Sequence, residues 1–250
     1  MRLFSLLIKF SIFKRLLPSL LRSFLILIKK EKFRISFKDL ILDINIKDPH
    51  DRKIFFTNQY EEKQFQEVFN IIKKQNIEIF LDIGANSGIY SLIIAKKSKL
   101  IIDAFEPIRT TYNKLLRNID NNKLNKKINT YNFGLSNKRA TLRMETNIKF
   151  GYKQSAGYHV SEDGQETAEF VMADEILNYK NNTIFIKIDT EGHEQYVLQG
   201  ATELIKNNNI FLQIEIWDKN LNEVNKNLKK MNLIFLKKIN NDYFFKKNLT

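Results

Sequence analysis

The sequence predicts an α/β fold built on a largely parallel sheet. Three observations predict it. From Ile77 onward, short apolar runs alternate with helical stretches. The first run, Ile79–Ile83, leads into a turn marked by Gly84 and Gly88. Two later runs lead into acids, Glu106 and Asp189, at the carboxyl ends of strands, where such sheets bind their ligands.

The elements follow in order. Residues 33–47 alternate in two stretches, Phe33, Ile35, Phe37 and then Leu40, Leu42, Ile44, Ile46, and period two argues strands. Asp48-Pro49 marks a turn. Residues 60–74 set Phe65, Val68, Phe69 and Ile72 on one helical stripe. Strands are expected at Ile79–Ile83, Ile101–Phe105, 128–133, Thr183–Ile188 and 210–216, with helices at 90–97, 110–118 and 194–206. Asp174 reads as a helix start. Residues 233–237 and 243–246 flank Asn240, Asn241 and Asp242, the pattern of a terminal antiparallel hairpin. The division expected is a basic segment over 1–32 and one α/β domain over 33–250. With 43% apolar residues in 250, the chain buries a substantial core. It has no Cys, which excludes disulfides and thiolate metal centres.

The most informative stretch is residues 79–91, IFLDIGANSGIYS. An apolar strand enters a glycine turn and then a helix, whose N-terminus carries free N–H groups. Gly84 and Gly88 remove side chains where a ligand approaches the backbone. A dinucleotide site wants Gly-x-Gly-x-x-Gly. Here the spacing is Asp82-x-Gly84-x-x-x-Gly88, with Asn86 between, which favours a ligand that has no pyrophosphate and carries an amino group near Asp82. Glu106, in Phe105-Glu106-Pro107, follows Asp82 by twenty-four positions and suits the two hydroxyls of a ribose. The run FIKIDTEGHE over 185–194 ends in Lys187, Asp189, Glu191, His193 and Glu194, a dense cluster at a strand end. Glu191 and Glu194 read equally as helix N-terminal acids.

Residues 82–91 (DIGANSGIYS), 105–107 (FEP), 186–194 (IKIDTEGHE) and 197–201 (VLQGA) resemble, in order and spacing, the FkbM family of methyltransferases. The resemblance spans roughly residues 55–220, and residues 132–137 (NFGLSN) are similar to the family's segment after the third strand, which lies beside the adenine; the family more often has Ala where this chain has Gly134. It implies a Rossmann-like class I methyltransferase fold, a mostly parallel seven-stranded sheet with helices on both faces and one antiparallel strand near an edge. It implies S-adenosylmethionine as the donor, held by Asp82, Gly84, Ala85, Asn86, Gly88, Tyr90, Glu106, Pro107, Gly134, Leu135 and Asp189. The chemistry expected is O-methylation of a sugar, glycan or glycolipid hydroxyl, with a natural product or lipid acceptor as the alternative. Asp189 is the first candidate to orient or deprotonate that hydroxyl, followed by Glu191 and His193. No metal is expected, because alternate residues of a loop need not converge on one ion. Trp217 reads as a sugar-stacking residue or a core residue, and the polar stretches 154–159 and 161–166 as an acceptor loop or a plain surface loop.

The net charge is +13, and seven of those charges fall in residues 1–30, where Arg2, Lys9, Lys14, Arg15, Arg22, Lys29 and Lys30 meet no acid. No apolar run there approaches the roughly 18 residues of a membrane span, and no small-residue cleavage site follows. Arg15, Arg22 and Lys29 share one side of a helix, while Leu16, Leu20, Phe24 and Leu27 lie mostly elsewhere. The segment reads as two short basic amphipathic helices, kinked or split at Pro18, lying on an anionic membrane surface or packing on protein. The localisation expected is cytoplasmic, peripheral on the inner face of the cell membrane. Nucleic acid is not an expected partner: the body is only mildly basic, and Asp189-Thr-Glu-Gly stands where base-amino methyltransferases carry Asn-Pro-Pro-Tyr or Asp-Pro-Pro. A nicotinamide oxidoreductase is disfavoured by the glycine spacing, and a non-catalytic scaffold by the retained acids and glycines.

Overall fold

A computed structural model describes residues 13–149, 152–155, 157–217 and 220–248. The chain divides into two compact units. One comprises the chain up to Tyr60 together with residues 148–156, and the other Glu61–Asn147 with Gly157–Thr250.

The first unit holds helix α1 (Phe13–Leu27), the hairpin β1 (Lys32–Phe37) and β2 (Leu40–Asn45), and helix α2 (Pro49–Thr57). Helix α1 continues through Pro18, so the segment is not split there; residues 1–12 lie outside the described part of it. A proline in a helix forfeits one ladder bond, and the flanking Leu, Arg and Ser residues carry the remainder. Asp48-Pro49 begins a helix rather than a turn. The Asp48 carboxylate accepts from the N–H groups of His50 and Asp51, and Pro49 at the first helical position has no N–H to satisfy. The other Asp48 oxygen accepts from Ser155 N and Oγ at 2.9 and 2.6 Å, tying in the short strands β8 (Ile148–Lys149) and β9 (Tyr152–Lys153).

The second unit contains helix α3 (Glu62–Gln75), β3 (Ile79–Ile83), α4 (Ile89–Lys97), β4 (Ile101–Phe105), α5 (Arg109–Asn122) and β5 (Ile128–Tyr131). Then come β6 (Gly134–Leu135), β7 (Ala140–Glu145), β10 (His159–Val160), β11 (Glu166–Val171), α6 (Ala173–Ile176) and β12 (Thr183–Ile188). The last elements are α7 (Glu194–Gln199), α8 (Thr202–Lys206), β13 (Asn209–Glu215), α9 (Leu221–Lys230), β14 (Leu233–Ile239) and β15 (Asp242–Lys247). Seven strands form one sheet in the order β14-β15-β13-β12-β3-β4-β5. All neighbours from β5 to β13 are parallel, and β15 alone runs against both of its neighbours.

The chain moves one way across the sheet from β3 to β5 and the other way from β12 to β13. Right-handed crossovers then put the two sets of helices on opposite faces and open the topological switch between β3 and β12. The central strands are apolar because both their faces are covered. Ile184, Phe185, Ile186 and Ile188 of β12 are all at most 2% exposed, each contributing roughly 1.5–3 kcal/mol by burial. The terminal hairpin forms as expected. The expected single helix at 194–206 is two, α7 and α8, separated by Gly200 and Ala201. Asp174 does lie in a helix, α6, but its carboxylate caps α8 instead, accepting from Glu203 N and Leu204 N. A second sheet, ordered β10-β7-β11-β6, was not expected from the sequence.

Candidate active site

Sheet register lays a polar ladder along the carboxyl end of the strands. Asp82 of β3 pairs with Lys187 of β12, and Lys187 pairs with Gln213 of β13. Side chains alternate along a strand, so these three share a face. Two residues further on, Asp189 and Glu215 return to that face, with Glu215 opposite Asp242 of β15. Glu61, Gln64 and Tyr90 close over the ladder. The Tyr90 hydroxyl donates to Glu61 Oε2 at 2.8 Å and accepts from Gln213 Nε2 at 3.0 Å. Gln213 and Gln64 both donate to Asp242, at 2.7 and 3.0 Å. The Lys187 ammonium donates to Asp189 Oδ2 at 2.9 Å and sits 4.6 Å from the centre of the Tyr90 ring.

Charge explains the titration of these groups. Burial pulls the Lys187 ammonium down, but Asp189, Asp82 and Glu61 outweigh it and hold Lys187 above its ordinary value. Burial raises Asp82, Glu61 and Asp242. Glu215 is pushed to about 8 by burial, by the charge of Asp189 and by a hydrogen bond with Asp189. Glu191 is pushed to about 7 by burial and by Asp189 and Glu194. Among the described residues no three of these groups are arranged as metal ligands.

The glycines of the turn are packed closely against neighbouring elements. Gly84 has φ +84°, and a Cβ there would collide with the backbone carbonyl of Asp189. A Cβ on Gly88, at φ +83°, would collide with Leu115. The end of β12 and helix α5 thus pack directly against the turn on the sides where these glycines carry no side chain. The helix N-terminus is likewise engaged. Asp82 Oδ2 accepts from Ser91 N and Oγ at 3.1 and 2.6 Å, while its Oδ1 is buried with no partner. Glu106 Oε2 accepts from Asn86 N and Oε1 from Ile108 N, both at 2.9 Å. Burial pushes this carboxyl up to about 7 against those two bonds. Ala85 is buried and donates its N–H to Phe105 O at 2.9 Å, and Asn86 adopts φ +51°. The Pro107 carbonyl accepts from Asn132 Nδ2 at 3.2 Å.

Other expected residues lie outside this ladder. The His193 imidazole is buried, with Nε2 2.9 Å from Ser136 Oγ and its ring against Phe170 and Tyr196. Burial lowers it to about 4, so it is neutral at pH 7. Gly134 and Leu135 form β6 of the second sheet, Leu135 inside the core. An alanine at 134 would meet the Phe170 ring, which accounts for glycine at this position. Tyr90 is buried and stacks on Phe65 at 4.3 Å. Glu194 ties the Thr190–Gly192 turn through its Oε1, and its buried Oε2 has no partner. Glu191 holds φ +53° in that turn, Glu61 holds +43°, and such backbone costs about 1–3 kcal/mol each. Trp217 is 40% exposed, so it is not a core residue.

Sequence reasoning missed Glu61, Gln64, Gln213, Glu215 and Asp242. Only Glu215 had a local signal, an acid at the end of an apolar strand.

The sheet order, its lone antiparallel strand and an acid-lined switch point define a class I methyltransferase. The methyltransferase FkbM domain matches residues 82–243, and the chain belongs to that family. Among curated proteins it is similar to the hexuronic acid methyltransferase AglP of Haloferax volcanii, 27% identical over 157 residues. That match takes in 60% of this chain and 62% of AglP, so the chain spans about three-fifths of that relative. Among solved structures it is similar to the human methyltransferase 10 domain containing protein, with TM-score 0.49 and 13% identity over 92% of this chain and 95% of the other. It is also similar to an SAM-dependent O-methyltransferase of Thermotoga maritima, with TM-score 0.49 and 10% identity over 80% and 71% of the two chains.

Proposed function

We propose that this methyltransferase moves a methyl group from S-adenosylmethionine to a hydroxyl of a sugar, glycan or glycolipid. The observation that carries the reading is Asp189. It is the ladder carboxylate paired directly with the buried Lys187, and its side chain is 29% exposed where that of Lys187 is 5%. A partly exposed carboxylate beside a buried ammonium at the end of β12 suits removal of a proton from an acceptor.

The residues fit the donor. The buried Asp82 Oδ1 has no partner and keeps its acceptor capacity beside the turn. Each Glu106 oxygen has accepted one backbone N–H and keeps acceptor capacity for ribose hydroxyls. Acids outnumber Lys187 around the ladder, a field that favours a cationic ligand. When bound, S-adenosylmethionine supplies a methyl already activated on a sulfonium. The protein's own work is then to orient the acceptor oxygen and remove its proton at Asp189. Exposed Trp217, two residues beyond Glu215, offers a face for a sugar ring. The likeness to a hexuronic acid methyltransferase supports a carbohydrate acceptor.

Comparative mass spectrometry of glycans from cells carrying wild-type and Asp189→Asn protein tests this. The variant should bind donor and leave one hydroxyl unmethylated, whereas identical glycans would remove the carbohydrate reading.

We further infer that α1 lies on an anionic membrane surface. Leu20, Phe24 and Leu27 are 67%, 56% and 79% exposed at helical spacing, and the sequence of residues 1–30 contains seven Lys and Arg and no Asp or Glu. Among the described residues no helix is long and apolar enough to cross a membrane.

A further inference from the structure

We propose that Lys187 is a positioning residue for methyl transfer: its buried ammonium keeps Asp189 ionised and fixes the direction of that carboxylate toward the acceptor. The proposal rests on the reading of Asp189 given above.

Geometry places Lys187 for this task. It lies on the ladder face between Asp82 and Gln213 in register. Its Nζ donates to Asp189 Oδ2 at 2.9 Å, from a side chain 5% exposed to one 29% exposed. A lysine stem is ordinarily flexible. Here the ammonium sits 4.6 Å from the centre of the Tyr90 ring. That ring is itself held by Phe65, stacked at 4.3 Å, while its hydroxyl donates to Glu61 and accepts from Gln213. The Asp189 backbone is fixed as well, since its N–H donates to Ile83 O at 3.0 Å. What remains to Asp189 is rotation of its side chain, and the bond to Lys187 restrains that.

The surroundings make that ammonium decisive. Asp189 stands within electrostatic reach of four carboxyls: Glu191 in its own turn, Glu194 at the start of α7, Glu215 at the end of β13 and Asp242 on β15. Asp82 of β3, Glu61 before α3 and the Tyr90 phenol on α4 complete the titratable groups around Lys187. Each like charge disfavours the ionised form of Asp189, and among the described residues Lys187 is the cation of this set, which favours it. An ammonium taken out of water needs a partner held close, so the pair fixes both members. With its charge kept and its direction set, Asp189 offers the acceptor's hydroxyl proton a fixed place to go.

The test joins a titration of the protein alone to a rate. Protein labelled at aspartate carboxyls and lysine Nζ, without donor or acceptor, is followed by NMR as the pH is lowered. Methyl transfer is assayed on glycans from cells carrying Asp189→Asn, which should keep the unmethylated hydroxyl. Expected in the wild type are Lys187 Nζ and Asp189 carboxyl signals that move together with one midpoint. Lys187→Met, similar in size and uncharged, should lower kcat about 10- to 100-fold at neutral pH and move the acid limb of kcat to higher pH. It should leave the affinity for S-adenosylmethionine undiminished, because it removes a positive charge near a cationic donor. Lys187→Arg, which keeps the charge, should leave the limb at its wild-type position. A folded Lys187→Met with an unmoved limb overturns the positioning role and leaves Asp189 in place. If Lys187→Met does not fold, the wild-type signals decide: a Lys187 Nζ signal that ignores the titration of Asp189 overturns the proposal. Fully methylated glycans from the Asp189→Asn cells overturn the reading of Asp189, and the positioning role falls with it even where the two signals move together.

Discussion

The backbone carbonyl of Asp189 stands where a Cβ on Gly84 would have to go. The first strand's glycine turn and the proposed base are therefore one packed unit, further joined by Asp189 N donating to Ile83 O at 3.0 Å. Gly84→Ala should push the end of β12 outward. It adds both a clash and a side chain at φ +84°, at a cost of at least about 2 kcal/mol. The melting temperature should fall, and methyl transfer should fall further than donor binding does, because Asp189 is displaced. Equal losses of binding and turnover would show that the turn serves only the donor.

Glu106 is expected to act on the donor in two ways. Its two bonds hold Asn86 and Ile108, which brings the glycine turn to the end of β4. Glu106→Gln replaces one acceptor with an NH2 group that must face a backbone N–H, and it weakens any ribose contact. The affinity for S-adenosylmethionine, measured by calorimetry, should drop about 10- to 100-fold, the equivalent of roughly 1.5–3 kcal/mol. Unchanged affinity would confine Glu106 to holding the loop.

The sequence made the frame of this site readable and hid its walls. Strands β3, β4 and β12 fall at the expected bounds, because runs buried on both faces are mostly apolar and end abruptly at glycine or acid. Helix α2 was hidden because Asp-Pro signals a turn and a helix entry alike, and only the capping bonds distinguish them. The split at Gly200 has a tertiary cause: a side chain there would strike the backbone of Ser136. The ladder's outer members were illegible for a related reason. Gln64 meets Asp242 across 178 residues of sequence, a pairing made by the antiparallel return of β15 rather than by any local pattern. His193 shows the converse. Its proximity in sequence to Asp189 suggested shared chemistry, yet packing on Phe170 and the bond to Ser136 commit it to the interior.

Stability should decline as pH rises from about 6.5 to 8. Glu106, Glu191 and Glu215 have folded values near 7, 7 and 8, above the roughly 4.3 of an unfolded glutamate. The folded state thus binds more protons than the unfolded state across that interval, and its stability drops with rising pH. His193 acts in the opposite sense. Its folded value of about 4 lies below the ordinary 6.5, so its contribution grows from pH 4 to 6.5 and is complete above that. Between 6.5 and 8 these carboxyls act without opposition from His193. Melting temperatures at constant ionic strength should show the decline, and Glu191→Gln should flatten it in part. A flat wild-type profile would mean that these side chains escape to water in solution.

The membrane reading of α1 separates two contributions that one experiment resolves. The exposed stripe of Leu20, Phe24 and Leu27 gains free energy by leaving water for any bilayer, whereas the cations of residues 1–30 discriminate for anionic headgroups. Full-length protein should therefore co-sediment with vesicles containing phosphatidylglycerol, and poorly with vesicles of phosphatidylcholine alone. Added salt should weaken the first interaction, since exposed charges are screened over about 8 Å at physiological ionic strength. Leu20→Ser with Phe24→Ser should weaken binding at every salt concentration, because it removes the apolar share alone. Deletion of residues 1–30 should abolish both. If the truncated protein still pellets with anionic vesicles, the surface that holds it lies elsewhere, and the exposed face of α1 belongs to a contact with protein.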